Sequence, residues 1–359
     1  MKTPHGVVAL AAVWLALASP ARAWTPVFGP ADEARLLALR TQAGTELLVW
    51  GGPHSVLASR DGGPPELVAT APDNSFVIPA AVLQSPRGAI LVYATVPGAD
   101  YESQTIRTTS TDDGRTWSPA TVAGFPSGAR ISSAAMRPDG VPVFTALMPD
   151  PENDELWYLD VFQGIDGERH TAGFVRAARG TVGVDAANRA YVAYAADASI
   201  LVPGRPVGTY VRRLSGEGLP QGPARRLTRQ ERSVSFLPGP RSIDAVFSEG
   251  GLVRFVKLAT GSAVSRAVRP YRHDVDYFAL DPHRRLWTMW VDSGTFYATR
   301  ADRVGAPFRR FVRSFLPEEG IAHPLVSSIA AFARDRGVLD VYVVIDGRIL
   351  HDRFRLRGR

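Results

Sequence analysis

The amino-acid sequence predicts an all-β protein whose strands form a ring of seven four-stranded sheets, a seven-bladed β-propeller. Three observations support this prediction: abundant turn-forming residues, a repeating unit of turn and apolar strand, and an unassigned strand near the N-terminus. The 359 residues include 33 Gly and 28 Pro without any low-complexity tract, which favours many short strands over long helices.

The repeat is a tight turn followed by a strongly apolar second strand, with a period of roughly 40 to 50 residues that is typical of propeller blades. The middle strands of a blade are covered on both faces by neighbouring blades, which accounts for their apolar composition. Seven such turns predict seven blades. They lie at residues 41–44, 85–88, 137–140, 185–188, 238–241, 281–284 and 334–337.

The two ends of the chain are expected to meet in one blade. The last repeat has no obvious fourth strand after residues 353–356, whereas residues 25–28 form a strand without a place in any other blade. We expect this N-terminal strand to complete the last blade and close the ring, because closure removes exposed sheet edges. Residues 24–359 then form a single domain.

The first 23 residues have the features of a secretory signal peptide. Lys2 precedes an apolar run at residues 7–18, and a small-residue cleavage site, A-R-A at residues 21–23, precedes Trp24. The apolar run is shorter than the roughly 20 residues that span a membrane. We therefore expect a secreted protein, periplasmic or extracellular, without a membrane anchor.

Composition and missing motifs narrow the functional classes. No Cys is present, so there is neither a disulfide framework nor a thiolate metal site, and we expect no metal or other cofactor. The formal net charge is +6, but the basic residues are spread along the chain, which argues against a nucleic-acid groove. Nucleophile-elbow, zincin and Walker motifs do not occur in the sequence. We expect a monomer.

One local motif is specific enough to indicate a family. Residues 110–117 read S-T-D-D-G-R-T-W, in which the carboxylate can satisfy turn amides, the glycine can adopt positive φ and the tryptophan can pack beneath the loop. The motif resembles the Asp box, or BNR repeat, of sialidase-like propellers. The resemblance implies a fold rather than a chemistry, because these boxes lie on the outer rim in that family. The motif residues are Ser110, Asp112, Gly114, Thr116 and Trp117.

A second sialidase motif is altered. Residues 76–79 read F-V-I-P, where the family has an arginine that binds the substrate carboxylate at the position of Val77. An isopropyl group supplies neither charge nor hydrogen-bond donors. The resemblance therefore implies a sialidase-like propeller without sialidase activity. Because sialidases have six blades, six remains the alternative blade number.

Polar residues at the beginnings of first strands are candidate site residues, because these strands line the channel of a propeller. Arg130, at the start of the third blade, could bind an anion or serve as a structural channel residue. His323, before the seventh blade, could join a ligand site at the same mouth or be merely solvated.

The most concentrated polar cluster lies at the start of the sixth blade. His273 is a candidate ligand-binding residue, and Asp274, Asp276 and Tyr277 are candidate catalytic residues. Alternatively, these residues cap turn amides where the chain enters the blade.

Two functional classes follow from these residues. The first is a non-catalytic propeller that binds a glycan, a peptide or a protein partner at its channel mouth, which we favour because the motif arginine is missing. The second is a glycoside hydrolase or lyase, which needs two carboxylates roughly 5 to 9.5 Å apart across the mouth. Asp274 and Asp276 share one strand, so this second class requires a partner from another blade, such as Asp185.

Overall fold

The computed structural model describes residues 24–29, 35–71, 75–98, 102–150, 153–177, 179–196, 207–239, 242–268, 277–292, 294–308, 311–317 and 326–356. The predicted signal peptide lies outside these ranges. Within them, 28 strands form seven four-stranded antiparallel sheets, and the helical element is a single 3-10 turn at Asp335–Gly337. None of the described residues belongs to a helix that is long and apolar enough to cross a membrane.

The first three blades follow one another along the chain. Blade 1 contains β2 (Leu37–Arg40), β3 (Glu46–Gly51), β4 (Ser55–Arg60) and β5 (Glu66–Thr70). Blade 2 contains β6 (Ile78–Gln84), β7 (Ile90–Pro97), β8 (Ser103–Ser110) and β9 (Thr121–Val122). Blade 3 contains β10 (Arg130–Met136), β11 (Pro142–Asp150), β12 (Asn153–Gln163) and β13 (Arg169–Arg176).

Blades 4 to 7 repeat the same order. Blade 4 contains β14 (Arg179–Val184), β15 (Ala190–Ala196), β16 (Gly208–Leu214) and β17 (Pro220–Thr228). Blade 5 contains β18 (Ser235–Pro238), β19 (Ile243–Glu249), β20 (Leu252–Lys257) and β21 (Ala263–Ala267). Blade 6 contains β22 (Tyr277–Leu280), β23 (Leu286–Asp292), β24 (Thr295–Ala301) and β25 (Val312–Phe315). Blade 7 contains β26 (Val326–Arg334), β27 (Val338–Ile345), β28 (Arg348–Arg355) and β1 (Thr25–Phe28).

The N-terminal strand closes the ring as predicted. β1 pairs antiparallel with β28, with Thr25 opposite His351 and Phe28 opposite Ile349. The sheet order β1-β28-β27-β26 makes β1 the outer strand of blade 7. Seven blades and this closure confirm the predicted fold, and the six-bladed alternative does not apply.

The core consists of apolar clusters between neighbouring blades. The second strands supply most of the buried side chains, and all six residues of β3 are buried. One cluster joins blades 1 and 2 through Val49 and Val92, and another joins blades 6 and 7 through Trp287 and Val341. This packing explains why the second strands are apolar on both faces.

The ring has two different faces. The first strands of neighbouring blades contact one another around the channel, for example β2 with β6 and β6 with β10. We call the face on which these first strands begin the mouth face. The opposite face, which carries the turns between first and second strands, is the turn face.

Candidate functional site

A cavity opens on the mouth face where the first strands of blades 1, 2 and 3 begin. This mouth cavity has a volume of about 310 Å³ and is also bounded by Pro97 and Gly98 at the end of β7 and by Glu102 and Ser103 at the start of β8. Its walls are largely apolar, with Ile78, Pro79 and Ile131 among the lining residues. Among the described residues that line it, the charged ones are Arg35, Arg130 and Glu102.

Arg35 reaches from the start of blade 1 to the start of blade 3. Its Nη2 donates to the carbonyl oxygen of Ser132 at 2.9 Å, and its Nη1 lies 3.5 Å from the carbonyl oxygen of Ile131. Burial lowers the pKa of the Arg35 guanidinium from its ordinary value. Among the described residues, no carboxylate pairs with this guanidinium. A desolvated cation without a counter-charge is costly, so the remaining N–H donors favour an anion in the cavity.

A β-bulge in β10 makes this contact possible. The pairing of β10 with β11 joins Ile131 to Ala146 and Ser133 to Thr145, and so passes over Ser132. A bulged residue is left out of the regular ladder, and its backbone is re-aimed. The carbonyl oxygen of Ser132 is thereby available to accept the hydrogen bond from Arg35.

Arg130, which the sequence predicts as a ligand-binding residue, lines the same cavity. It is the first residue of β10 and is exposed. Its guanidinium lies 4.6 Å from the ring centroid of Trp157, a cation–π distance. The half-buried indole thus holds the exposed Arg130 side chain at the cavity.

Sequence reasoning missed Arg35. It lies two residues before β2, in a chain segment without a motif, and its neighbours across the cavity are almost 100 positions away. An arginine at the start of a first strand is the signal that drew attention to Arg130, and the same signal could have identified Arg35.

Tyr277 lies in a different cavity. It is the first residue of β22, half-buried, and lines a cavity of about 510 Å³ along the channel between blades 6, 7 and 1. His273, Asp274, Asp276 and His323 lie outside the described residues. Their convergence with Tyr277 on one site therefore stays a prediction.

Two other residues from the sequence analysis, Val77 and Asp185, have structural roles and do not line the mouth cavity. Val77 is only 1% exposed and packs in the cluster between blades 1 and 2. Asp185 follows the end of β14 on the turn face, where it accepts hydrogen bonds from the backbone amides of Ala187 and Arg189 and pairs with the Arg189 side chain at 2.6 Å. Asp185 is therefore not placed as a carboxylate partner across the mouth.

The 110–117 motif forms a hydrogen-bonded turn between β8 and β9. Asp112 accepts from the backbone amide of Thr116 at 2.9 Å and from its hydroxyl at 2.6 Å, and Ser110 Oγ accepts from the amide of Gly114 at 2.9 Å. Hydrogen bonds from Thr116 and Ser110 hold the pKa of Asp112 well below its ordinary value. Gly114 has a φ of +80°, and Trp117 packs against the cluster between blades 1 and 2.

The charged residues of the mouth cavity determine which ligands it can bind. Glu102 is the one carboxylate among the described residues that line it, and it is exposed. The described part of the chain contains no group of three or more metal-ligating side chains. The described lining thus combines two cations, one carboxylate and apolar walls, an arrangement that suits binding of a small anionic ligand.

Comparison with solved structures shows the same fold at low sequence identity. A catalytically inactive variant of virginiamycin B lyase from Staphylococcus aureus has a TM-score of 0.57 and 9% identity, and the match covers 93% of this chain and 99% of that one. A Hadza microbial sialidase has a TM-score of 0.53 and 12% identity, and the match covers 93% of this chain and 69% of the sialidase. YCF48 from Cyanidioschyzon merolae has a TM-score of 0.52 and 18% identity, and the match covers 93% of this chain and 99% of YCF48.

No family model matches the chain, and no curated protein matches it in sequence. At these identities the structural matches establish the fold alone. The chain is a seven-bladed β-propeller with a cationic cavity at the mouth of its channel.

Proposed function

We propose that this protein is a secreted, sialidase-like propeller that binds an acidic glycan in the mouth cavity without turning it over. The observation that carries the proposal is the half-buried Arg35 guanidinium, which lines the cavity and has no carboxylate partner among the described residues. A ligand carboxylate or sulfate would supply the missing charge.

The mixed lining favours a sugar over a simple inorganic anion. Apolar surfaces from Ile78 and Pro79 lie beside the charged groups, and sugar rings present both C–H faces and polar edges. Glu102 can accept hydrogen bonds from ligand hydroxyls. A sialidase occurs among the proteins of similar fold, which is consistent with a carbohydrate ligand.

Binding is favoured over catalysis because glycosidic bond cleavage needs two carboxylates facing one another. The described lining of the mouth cavity supplies Glu102 alone. Sialidase activity would also need the motif arginine, where this chain has the buried Val77.

The test is calorimetric titration of the mature protein, residues 24–359, with N-acetylneuraminic acid and glucuronic acid beside neutral N-acetylglucosamine. We expect the acids to bind and the neutral sugar not to bind. Arg35→Met should weaken binding about 10- to 100-fold, as expected for a charge-assisted hydrogen bond. Arg87→Met is the matched control, because it removes the same charge from an exposed turn on the turn face.

A parallel screen with fluorogenic sialosides and glucuronides addresses catalysis. We expect no turnover. Turnover that is abolished by Asp274→Asn or Asp276→Asn would contradict the binding proposal and establish a glycosidase. Equal affinity of wild type and Arg35→Met for the acids would show that the mouth cavity is not the ligand site.

A further inference from the structure

The cavity that Tyr277 lines follows the channel to the turn face. We call it the channel cavity; its volume is about 510 Å³. Its lining comes from three first strands and lies between positions 36 and 40 of blade 1, 277 and 282 of blade 6, and 329 and 333 of blade 7. Five residues of a strand span roughly 16 Å. The cavity is therefore elongated, which suits a chain-like ligand better than a compact ring.

The lining of the channel cavity is almost entirely apolar. Among the described residues that line it, the charged ones are Arg40 and Asp281, and both lie at the turn-face end. Asp281 accepts hydrogen bonds from the amides of His283 and Arg285 and pairs with the Arg285 side chain, so its carboxylate belongs to its own turn. An apolar ligand that enters this cavity removes apolar surface from water on both sides of the contact.

Small side chains keep the channel cavity wide. Ala38, Ala279 and Ala331 line it from blades 1, 6 and 7. Ala38 is exposed, and the other two are half-buried, so their methyl groups border open space within the ring. A larger side chain at position 38 would occupy part of that space.

The turn-face end of the channel cavity adjoins a second, charged cavity. Arg40 and Pro282 line both, and we call the second one the turn-face cavity; its volume is also about 510 Å³. Its described charged lining consists of four arginines and two carboxylates. They are Arg40, Arg334, Arg353, Arg355, Glu46 and Asp335.

The arginines of the turn-face cavity differ in how they are paired. Arg40 and Arg334 pair with Glu46, and Arg353 pairs with the buried Asp340. Arg355 is the last residue of β28 and is exposed, and no described carboxylate pairs with it. Its guanidinium is therefore available to a ligand carboxylate, which it can bind through two parallel hydrogen bonds.

From this arrangement we infer that the protein binds a medium-chain carboxylate, whose acyl chain occupies the channel cavity and whose carboxylate lies beside Arg355 in the turn-face cavity. The site is separate from the mouth cavity, and the inference goes beyond the proposed function. An apolar tunnel that ends at a cationic cavity matches the two parts of such an amphiphile.

The first test is calorimetric titration of residues 24–359 with hexanoate, octanoate and decanoate below their micelle concentrations. We expect one saturable site whose affinity rises roughly tenfold for every two CH₂ groups added. Ala38→Phe should weaken decanoate binding at least tenfold, because the ring fills part of the channel cavity. Ala263→Phe is the matched control on the exposed outer strand β21 and should bind decanoate as the wild type does.

The second test addresses the carboxylate. At low salt, decanoate should bind more tightly than decanol, and decyltrimethylammonium should bind more weakly than both. Arg355→Met should weaken decanoate binding about two- to fivefold, as expected for an exposed ion pair, and leave decanol binding unchanged. Arg87→Met, which removes the same charge from an exposed turn of blade 2, is the control.

Arg35→Met separates this site from the mouth cavity and should not change decanoate affinity. Equal affinities for hexanoate and decanoate, or full affinity in Ala38→Phe, would overturn the inference. A loss in Arg35→Met that Ala38→Phe does not share would place the carboxylate in the mouth cavity and would also overturn it. Equal affinities for decanoate and decyltrimethylammonium would refute the position beside Arg355. The acidic-sugar titrations are unaffected by any of these outcomes, so the proposed function stands or fails separately.

Discussion

At the scale of single residues, some polar side chains of this protein use their hydrogen-bonding groups within their own turn, and others do not. Asp112 accepts three hydrogen bonds from Thr116 and Ser110, and Asp185 is similarly committed to its turn. Arg35, in contrast, donates to backbone carbonyl oxygens, and no described carboxylate balances its charge. Unsatisfied charge rather than sequence motif therefore identifies the candidate site.

Asp112→Asn should destabilise the protein at neutral pH, because the turn then loses an ionised acceptor. The pKa of Asp112 is lowered in the folded state, so its stabilisation is present above the unfolded pKa of about 3.9 and is lost as pH falls toward the folded value. Thermal unfolding midpoints of wild type and variant should therefore converge below about pH 4. Asp346→Asn, on an exposed turn of blade 7, is the control, and a gap that persists unchanged in acid would refute this explanation.

Trp157→Leu should weaken binding of an acidic sugar about two- to fivefold, because Arg130 then loses a cation–π contact worth roughly 0.5–1 kcal/mol. Trp157→Phe retains an aromatic face and should keep part of the affinity. Calorimetric titration with N-acetylneuraminic acid measures both variants. Equal losses in Phe and Leu variants would mean that the ring face does not position Arg130.

At the scale of elements, the closing blade depends on the pairing of β1 with β28 and on Trp24, which precedes β1. The Trp24 ring lies 5.5 Å from Phe296 of blade 6 and 6.0 Å from Phe354 of blade 7, and the residue is 6% exposed. The N-terminal segment thereby ties two blades together as well as completing one sheet.

Trp24→Ala should lower the free energy of unfolding by about 3–5 kcal/mol, as for other large aromatic deletions in a core. Guanidinium denaturation measures this change. Val27→Ala is the control within the same strand, because Val27 is 37% exposed, and it should change stability by less than about 1 kcal/mol. Comparable losses in both variants would point to strand propensity rather than core packing.

An ion-pair network at the contact between blades 7 and 1 is the second interaction that holds the ring closed. The fully buried Asp340 carboxylate pairs with Arg334 at 2.6 Å, Arg353 at 2.6 Å and His351 at 3.0 Å. Arg334 also pairs with Glu46 of blade 1, so one guanidinium joins the two blades. Burial alone would raise the pKa of Asp340, but hydrogen bonds from His351 and Arg353 and the charges of Arg334 and Arg353 bring it below its ordinary value.

Asp340→Asn should cost about 1–3 kcal/mol at pH 7, because the partly exposed Arg334 and Arg353 lose charge-assisted hydrogen bonds to their common anion but stay solvated. Since the folded pKa of Asp340 is lowered, this cost should diminish as pH falls below about 4. Asp335→Asn is the control, because the Asp335–His283 pair is mostly exposed and such pairs contribute about 0–1 kcal/mol. Equal denaturation midpoints for wild type and Asp340→Asn at pH 7 would contradict the role of the network.

At the scale of the whole molecule, stability is distributed around a closed ring. Apolar clusters join each blade to the next, and no blade contains a core of its own that is separate from its neighbours in the described part of the chain. Any blade could therefore in principle supply the closing strand, because what matters is closure rather than its position along the chain.

A circular permutant tests this view. Joining Leu356 to Trp24 through a short glycine-rich loop and opening the exposed turn at residues 259–260 moves the closing strand from blade 7 to blade 5. We expect this permutant to fold with a stability change on the order of 1 kcal/mol, because only loop-closure terms differ. The same permutant without residues 24–29 should be insoluble or much less stable, and equal stability of the two would show that β1 is dispensable.

The sequence by itself determined the all-β class, the seven turns, the apolar second strands and the closing role of residues 25–28. These features are local or periodic, and turn chemistry and burial on both faces leave a direct record in residue types. The sequence also identified Arg130 from its place at the start of a first strand. Secretion and the cluster around Asp274 and Asp276 stay predictions.

Only the tertiary structure decided that Arg35 belongs to the same cavity as Arg130, that Val77 is a core residue and that Asp185 belongs to the turn face. Each of these facts depends on the meeting of chain segments far apart in sequence, or on the face of the ring to which a side chain turns. The β-bulge at Ser132 shows why: a single extra residue re-aims one carbonyl toward an arginine almost 100 positions away, and no periodic pattern records that contact.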